Sequence, residues 1–264
     1  MNHIKIDYCY HTHTIRCGHA EGTDEEYVKK AIKSGIKELG FTDHVPFPDF
    51  SQPGIRMDFS QIEEYLSSIR ALKSKYEKKI KIYVGFETEY MPQYLSYYRS
   101  LKNDYKVDYL ILGQHGKLVD GQWMWYNKKP TTTGYIEDSI EALNTGLFSY
   151  FAHPDIFINH FLGTEDDFAR LATRLLKVAF SRNIPVEINA GGFSPVNTFN
   201  KGLAIHYPYL PFFQIASKME NNKVLIGYDA HSPKLLGGPK EVTEACIDIA
   251  VKSKVNLINR LEID

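Results

Sequence analysis

The chain places His11, His13 and His19 within its first twenty residues, in "DYCYHTHTIRCGHA". The single residue between His11 and His13 puts both side chains on the same face of an extended segment. The same donor types return along the sequence. "FTDH" carries His44, "GFETEY" carries Glu87 with Glu89 as the alternative carboxylate, "GQH" carries His115 and "AHP" carries His153. "YDAH" brings Asp229 and His231, again one residue apart. Imidazole nitrogen and carboxylate oxygen bind zinc at roughly 2.0–2.2 Å, and the same set suits manganese or iron. A carboxylate bridging two cations about 3.5–4 Å apart would let a shared water ionise near neutral pH and attack phosphorus in line, while the cations offset phosphoryl charge. That chemistry is hydrolysis of a phosphate ester. Cys17, beside Arg16, offers a cysteine nucleophile as the competing chemistry. No C-x5-R loop is present to cradle phosphate for it.

Short apolar, β-branched or aromatic runs alternate with segments of helical period almost to the C-terminus, the βαβα pattern of a parallel sheet. Strands are expected at 4–10, 37–42, 80–87, 109–114, 149–152, 185–189 and 224–228. Thr23 with Glu26, and Ser60 with Glu63, read as S/T-x-x-E capping boxes that start two helices. Val28, Ile32 and Ile36 continue the first; Ile62, Leu66, Ile69 and Leu72 line one face of the second. Further helices are expected at 92–103, 133–145, 165–182, 209–221 and 240–252, and the stretch 123–132 reads as an insertion between a strand and its helix. Gly and Pro gather after strands, in "PFPDFSQPGIRMDF" and "GGFSPVN", where they would shape one mouth of the fold.

Six of the seven expected strands deliver His, Glu or Asp at their C-terminal ends, and in a parallel barrel all those ends share one rim. The sixth strand is the exception, delivering Glu187 and Asn189. A chain of 264 residues is the right length for one α/β barrel, so a single domain over 1–264 is expected. Hydrophobic residues at 43% and charged residues at 24% argue for a packed core rather than disorder. A formal net charge of −1 without blocks of like charge gives no footprint for nucleic acid or anionic membrane, leaving a small-molecule partner. Cys9, Cys17 and Cys246 are odd in number and without C-x-x-C spacing, and the N-terminus lacks a basic-then-apolar leader. A reducing cytoplasm is the expectation. No run approaches eighteen apolar residues, so no transmembrane helix is expected.

The series "HTH", "GHA", "FTDH", "GFETEY", "GQH", "AHP" and "DAH" resembles the motifs of the polymerase and histidinol phosphatase (PHP) family across nearly the whole chain. "RMDFSQIEEYLSSIRALKSKYE", "KIYVGFETEY", "VEINAGGF" and "IGYDAHSP" make it most similar to the stand-alone histidinol-phosphate phosphatases. The resemblance implies a distorted (β/α)7 TIM-like barrel with two to three divalent transition metal ions, zinc, manganese or iron, at its C-terminal rim. It implies His11, His13, Glu87 and Asp229 around the first ion. Glu87 as bridge, His115 and His153 would hold the second, and His19, His44 and His231 the third. The implied reaction takes L-histidinol phosphate and water to L-histidinol and phosphate. Glu87, Asp229 and Arg16 are expected to be the catalytic residues, and Arg16, with Lys117 as a further candidate, is expected to grip phosphate. Arg56 and Lys201 are weaker candidates. After the His153 motif, where close relatives are expected to carry a basic residue, this chain has Asn159 and His160, and "GQH" replaces their "SVH". The alternatives are another phosphomonoester, a nucleotide or a phosphotyrosyl protein as substrate, or a metal-bound barrel that binds without catalysis.

Overall fold

The computed structural model describes residues 4–126, 132–194 and 200–263. Part of the expected 123–132 insertion, and part of "GGFSPVN", therefore lie outside the described residues. Among the described residues nine strands run β1 (Tyr8–Cys9), β2 (Glu38–His44), β3 (Lys81–Thr88), β4 (Tyr109–Leu112), β5 (Gly116–Val119), β6 (Gln122–Trp125), β7 (Tyr150–Phe151), β8 (Val186–Asn189) and β9 (Val224–Gly227). Seven of them form one parallel sheet in the order β1-β2-β3-β4-β7-β8-β9. Past the ends of β1 and β9 the sheet closes on itself. The amide of His13 donates to Ala230 O at 3.0 Å, and the amide of Ala230 to His11 O at 3.1 Å. The result is the expected seven-stranded barrel, with the metal-ligand types at its seam.

Helices α1 (Asp24–Lys33), α2 (Ile62–Tyr76), α3 (Leu95–Asn103), α4 (Thr132–Asn144), α5 (Glu165–Ser181), α6 (Leu210–Ala216) and α7 (Lys240–Ser253) follow the strands in turn. Thr23 caps α1 as expected: its amide donates to Glu26 Oε2 at 2.7 Å and its Oγ1 accepts the Glu26 amide at 3.3 Å. Such a cap stabilises the helix by about 1 kcal/mol. The second box is not Ser60 with Glu63. Ser60 donates its own hydroxyl to Asp58 at 2.7 Å, so Asp58 caps a 3-10 turn and pairs with Gln61 instead. The helix then starts at Ile62. Strand β1 is also shorter than the expected 4–10, and α6 shorter than 209–221. The chain between β4 and α4 is partly an antiparallel hairpin, β5–β6, laid over the rim.

Alternation along the strands sorts two cores. Leu39, Phe41, Ile82, Val84, Phe86, Leu110, Val186 and Ile226 point out to the helices, where α2 contributes Tyr65, Leu66 and Ile69. The barrel interior is filled by Tyr8, Tyr10, Tyr83, Tyr109 and Tyr150 with Leu225, and from below by Leu261 of the C-terminal segment. This tyrosine floor supports the rim above it. Tyr10 donates to Glu38 Oε2 at 2.6 Å and Tyr109 to Tyr10 O at 2.7 Å. Among the described residues no helix is long and apolar enough to cross a membrane.

Candidate metal centre

Cys9 belongs to the outer core and Tyr10 to the interior, so strict alternation would turn His11 outward. His11 faces inward all the same. The regular ladder ends at Cys9 opposite Leu39; beyond it Thr42 donates its amide to Thr12 O at 2.8 Å and its hydroxyl to Tyr10 O at 3.3 Å. This break, of the kind a bulge makes, aims two consecutive side chains into the barrel and sets both His11 and His13 on the rim. Strand β3 alternates without interruption, so Tyr83 and Glu87 share the inward face. Strand β9 likewise leads through Leu225 and Gly227 to Asp229.

At the centre lies Glu87, 1% exposed. Its oxygens are 2.8 Å from His153 Nε2, 3.0 Å from His44 Nδ1, 3.5 Å from His11 Nε2 and His13 Nε2, and 3.6 Å from His115 Nε2. Asp229 Oδ1 lies 3.1 Å from His13 Nε2, 3.5 Å from His11 Nε2 and 3.4 Å from His231 Nδ1. His19 packs near this group, its ring centroid 4.7 Å from that of His231. All nine expected ligands thus meet in one place. His11 with His13 and Asp229, His11 with Glu87 and His153, and His19 with His44 and His231 are each close enough to share an ion. Asp229 and His153 hold positive φ angles of 48° and 31°, conformations that cost free energy and concentrate at functional sites.

Burial alone would protonate Glu87, but the imidazoles of His115, His11 and His44 outweigh it and hold the carboxyl well below its usual range. Asp229 is lowered in the same way, by His11 and His13. Burial, and then the charge of His13, push His44 down to about 4 and His231 down to about 3. Both are neutral at pH 7 and offer lone pairs. Several buried nitrogens, including His11 Nε2, His13 Nε2, His153 Nδ1 and His231 Nε2, have no hydrogen-bond partner among the described residues. Unsatisfied imidazole nitrogens grouped around two anionic carboxylates suit a cation and little else.

Residues outside the expected set orient these ligands. His11 Nδ1 donates to Glu187 at 3.1 Å, and Glu187 also accepts from Asn189 Nδ2 at 2.8 Å and the His153 amide at 3.1 Å. His115 Nδ1 donates to Glu89 at 3.0 Å, and Asp43 lies 3.6 Å from His13 Nδ1. Backbone carbonyls perform this role for His19, through Cys17 O, and for His231, through Asp229 O. A partner on one ring nitrogen fixes the tautomer and aims the other. Strand β8, the exception in the sequence pattern, therefore supplies the partner of an expected ligand. Its signal was an inward Glu and Asn at a strand end.

The residues expected to contact phosphate are each paired within the protein. Arg16 donates to Asp24 at 2.9 and 3.0 Å and to Glu64 at 2.7 and 2.8 Å, so two helix carboxylates take its whole fork. Lys117, on β5, donates to Asp138 at 2.6 Å. Arg56 is buried against Glu89, and Asn159 is engaged with Asn200 and the Tyr207 amide. Cys17 is buried and its thiol is pushed up to about 12, chiefly by desolvation, which removes the thiolate that a cysteine mechanism needs. The cleft above the centre has a volume of about 470 Å³. Its described lining includes Glu87, Glu89, His115, Trp125, Ser194 and Asp229, and no lysine or arginine.

The PHP domain profile matches residues 10–191. The probable histidinol-phosphatase of Deinococcus radiodurans is 27% identical over 239 residues, 86% of this chain and 87% of that protein. The histidinol-phosphatase of Lactococcus lactis is 25% identical over 245 residues, 87% of this chain and 85% of that one. Among solved structures, the L. lactis histidinol phosphate phosphatase, complexed with zinc, L-histidinol and phosphate, aligns with a TM-score of 0.74 at 18% identity over 98% of this chain and 99% of that one. The Listeria monocytogenes protein named putative histidinol phosphatase aligns with a TM-score of 0.70 at 20% identity, over 86% of this chain and 96% of that one. The profile spans most of the barrel, and the rim motifs fold into one centre: the chain belongs to the PHP domain family.

Proposed function

We propose that the protein is a metal-dependent phosphomonoesterase that hydrolyses L-histidinol phosphate to L-histidinol and phosphate. The observation that carries this reading is Glu87, a buried carboxylate within 3.6 Å of five imidazoles. Two to three ions, zinc, manganese or iron, fit the donors: His11, His13 and Asp229 with Glu87; Glu87 with His115 and His153; and His19, His44 and His231. Bound there, such ions supply positive charge to the phosphoryl oxygens and lower the pKa of water towards neutrality. The protein's own side chains do the rest. Glu87 and Asp229 stay ionised and hold the constellation together, while Glu187 and Glu89 fix the directions of His11 and His115. The acidic lining repels a phosphate dianion on its own, which supports a requirement for bound cations. Trp125 and Ile156 supply the apolar wall that a small organic leaving group needs. The relatives named histidinol-phosphatase support the substrate, and three free, buried cysteines support a reducing cytoplasmic setting.

The test is elemental analysis together with phosphate release from L-histidinol phosphate, a sugar phosphate, a nucleotide and a phosphotyrosyl peptide, before and after chelation. Metal-dependent turnover highest on L-histidinol phosphate is expected. Preference for another ester would overturn the substrate; bound metal with no turnover on any ester would make the barrel a binding module.

A further inference from the structure

Arg56 comes from the segment that crosses the rim after β2, and it is 2% exposed. Its fork donates to Glu89 at 3.0 and 3.1 Å, Nη1 also donates to Val45 O at 2.8 Å, and Nε donates to Gln52 at 3.0 Å. The rings of Phe47 and Trp123 lie 5.0 Å from its guanidinium carbon. Glu89, Val45, Gln52, Phe47 and Trp123 thus hold the guanidinium from both its edge and its faces. Trp123 belongs to the β5–β6 hairpin, so one side chain joins the segment after β2, the end of β3 and the hairpin. Glu89 Oε1, which accepts from Arg56 Nη2, is the same oxygen that accepts from His115 Nδ1. His115 Nε2 then points at Glu87 Oε1, 3.6 Å away.

The geometry points to Arg56 as a positioning residue for one metal site: through Glu89 it fixes the ring of His115 and so sets the affinity of the cation that His115 shares with Glu87 and His153. This rests on the proposed metal centre but not on its substrate. Lysine cannot replace the fork, because a single ammonium cannot hold both carboxylate oxygens and the Val45 carbonyl in one plane. Loss of a partner that orients a ligand typically weakens a metal by about 10- to 100-fold.

The experiment is calorimetric titration of the metal-stripped full chain with Mn2+, beside kcat and KM at low and saturating Mn2+. For Arg56→Lys, one ion of the set is expected to weaken by about 10- to 100-fold with the others unchanged, and kcat to recover at saturating Mn2+. Glu89→Gln keeps the volume, should weaken the same ion, and covers the case in which Arg56→Lys does not fold. The double variant should be no worse than the worse single one, since both act through one oxygen. Wild-type affinity for all ions in Glu89→Gln or a folded Arg56→Lys, additive losses in the double variant, or a uniform loss that saturating Mn2+ does not rescue would each overturn the proposal. If Mn2+ binding shifts as expected while no phosphate ester is turned over, the positioning role stands and the phosphatase reading fails.

Discussion

Gly113, just past the end of β4, faces the barrel interior, and a methyl group built on it would lie 2.5 Å from both Cγ and Cδ of Glu87. Ordinary contact for such a carbon begins at 3.4 Å, so Gly113→Ala drives the carboxylate aside by about 1 Å. The backbone there is ordinary, not left-handed, so the effect is steric alone. Glu87 has no room to absorb the move, because imidazoles surround it and the tyrosine floor lies below. A misplacement of about 1 Å at a reacting centre costs roughly 100-fold in rate, and overpacking a tight interior costs about 1–3 kcal/mol. We therefore expect Gly113→Ala to fold, with Tm lowered by a few degrees, to lose part of its cation complement, and to lose at least about 100-fold in kcat/KM. Gly134→Ala is the matched control: it lies in α4, where among the described residues the added methyl meets only Tyr126 at 3.6 Å, and it should gain about 0.5–1 kcal/mol with unchanged turnover. Phosphate release at saturating Mn2+, metal content and thermal unfolding read all three quantities. A Gly113→Ala protein with full metal content and full turnover would refute the reasoning that Glu87 is held at one position.

Glu187→Gln keeps the shape of the residue that accepts from His11, Asn189 and the His153 amide, but turns one acceptor into a donor; titration with Mn2+ should show about 10- to 100-fold weaker binding, and unchanged binding would count against its orienting role. In the metal-free protein burial disfavours the His13 imidazolium, yet Asp229 and Asp43 outweigh it and raise its pKa to about 9, above the ordinary value of 6.5. The sign follows: that stability is complete below pH 6.5 and is lost as pH rises through about 9, whereas metal binding, which needs neutral His13, strengthens over the same window. Denaturant melts of the metal-free and metal-loaded protein between pH 6 and 9 should therefore diverge, and parallel curves would contradict it. Arg16→Met should leave KM for the phosphate ester within about twofold and lower stability by about 1–3 kcal/mol, because its partners are Asp24 and Glu64. A tenfold rise in KM would return Arg16 to the phosphate.

The order of the seven barrel strands and their helices and the Thr23 cap were legible in the sequence, because period and capping chemistry are local properties; the β5–β6 hairpin was not, and the nine donor positions were singled out by the family resemblance. A parallel barrel then brings every strand end to one rim, so donors from His11 to His231 converge wherever the chain folds this way. Three-dimensional neighbours decided the rest. His11 faces the centre because the ladder breaks after Cys9, which alternation alone does not foretell. Arg16 is taken up by Glu64, 48 residues away, and Glu187 reaches His11 across 176 residues. A charge selects its partner by distance and burial, and neither is written in the residues beside it. The sequence determined which donor groups reach the rim. Only the packed barrel decided which groups hold them in place, and that a cleft expected to grip phosphate with arginine has none among its described lining residues.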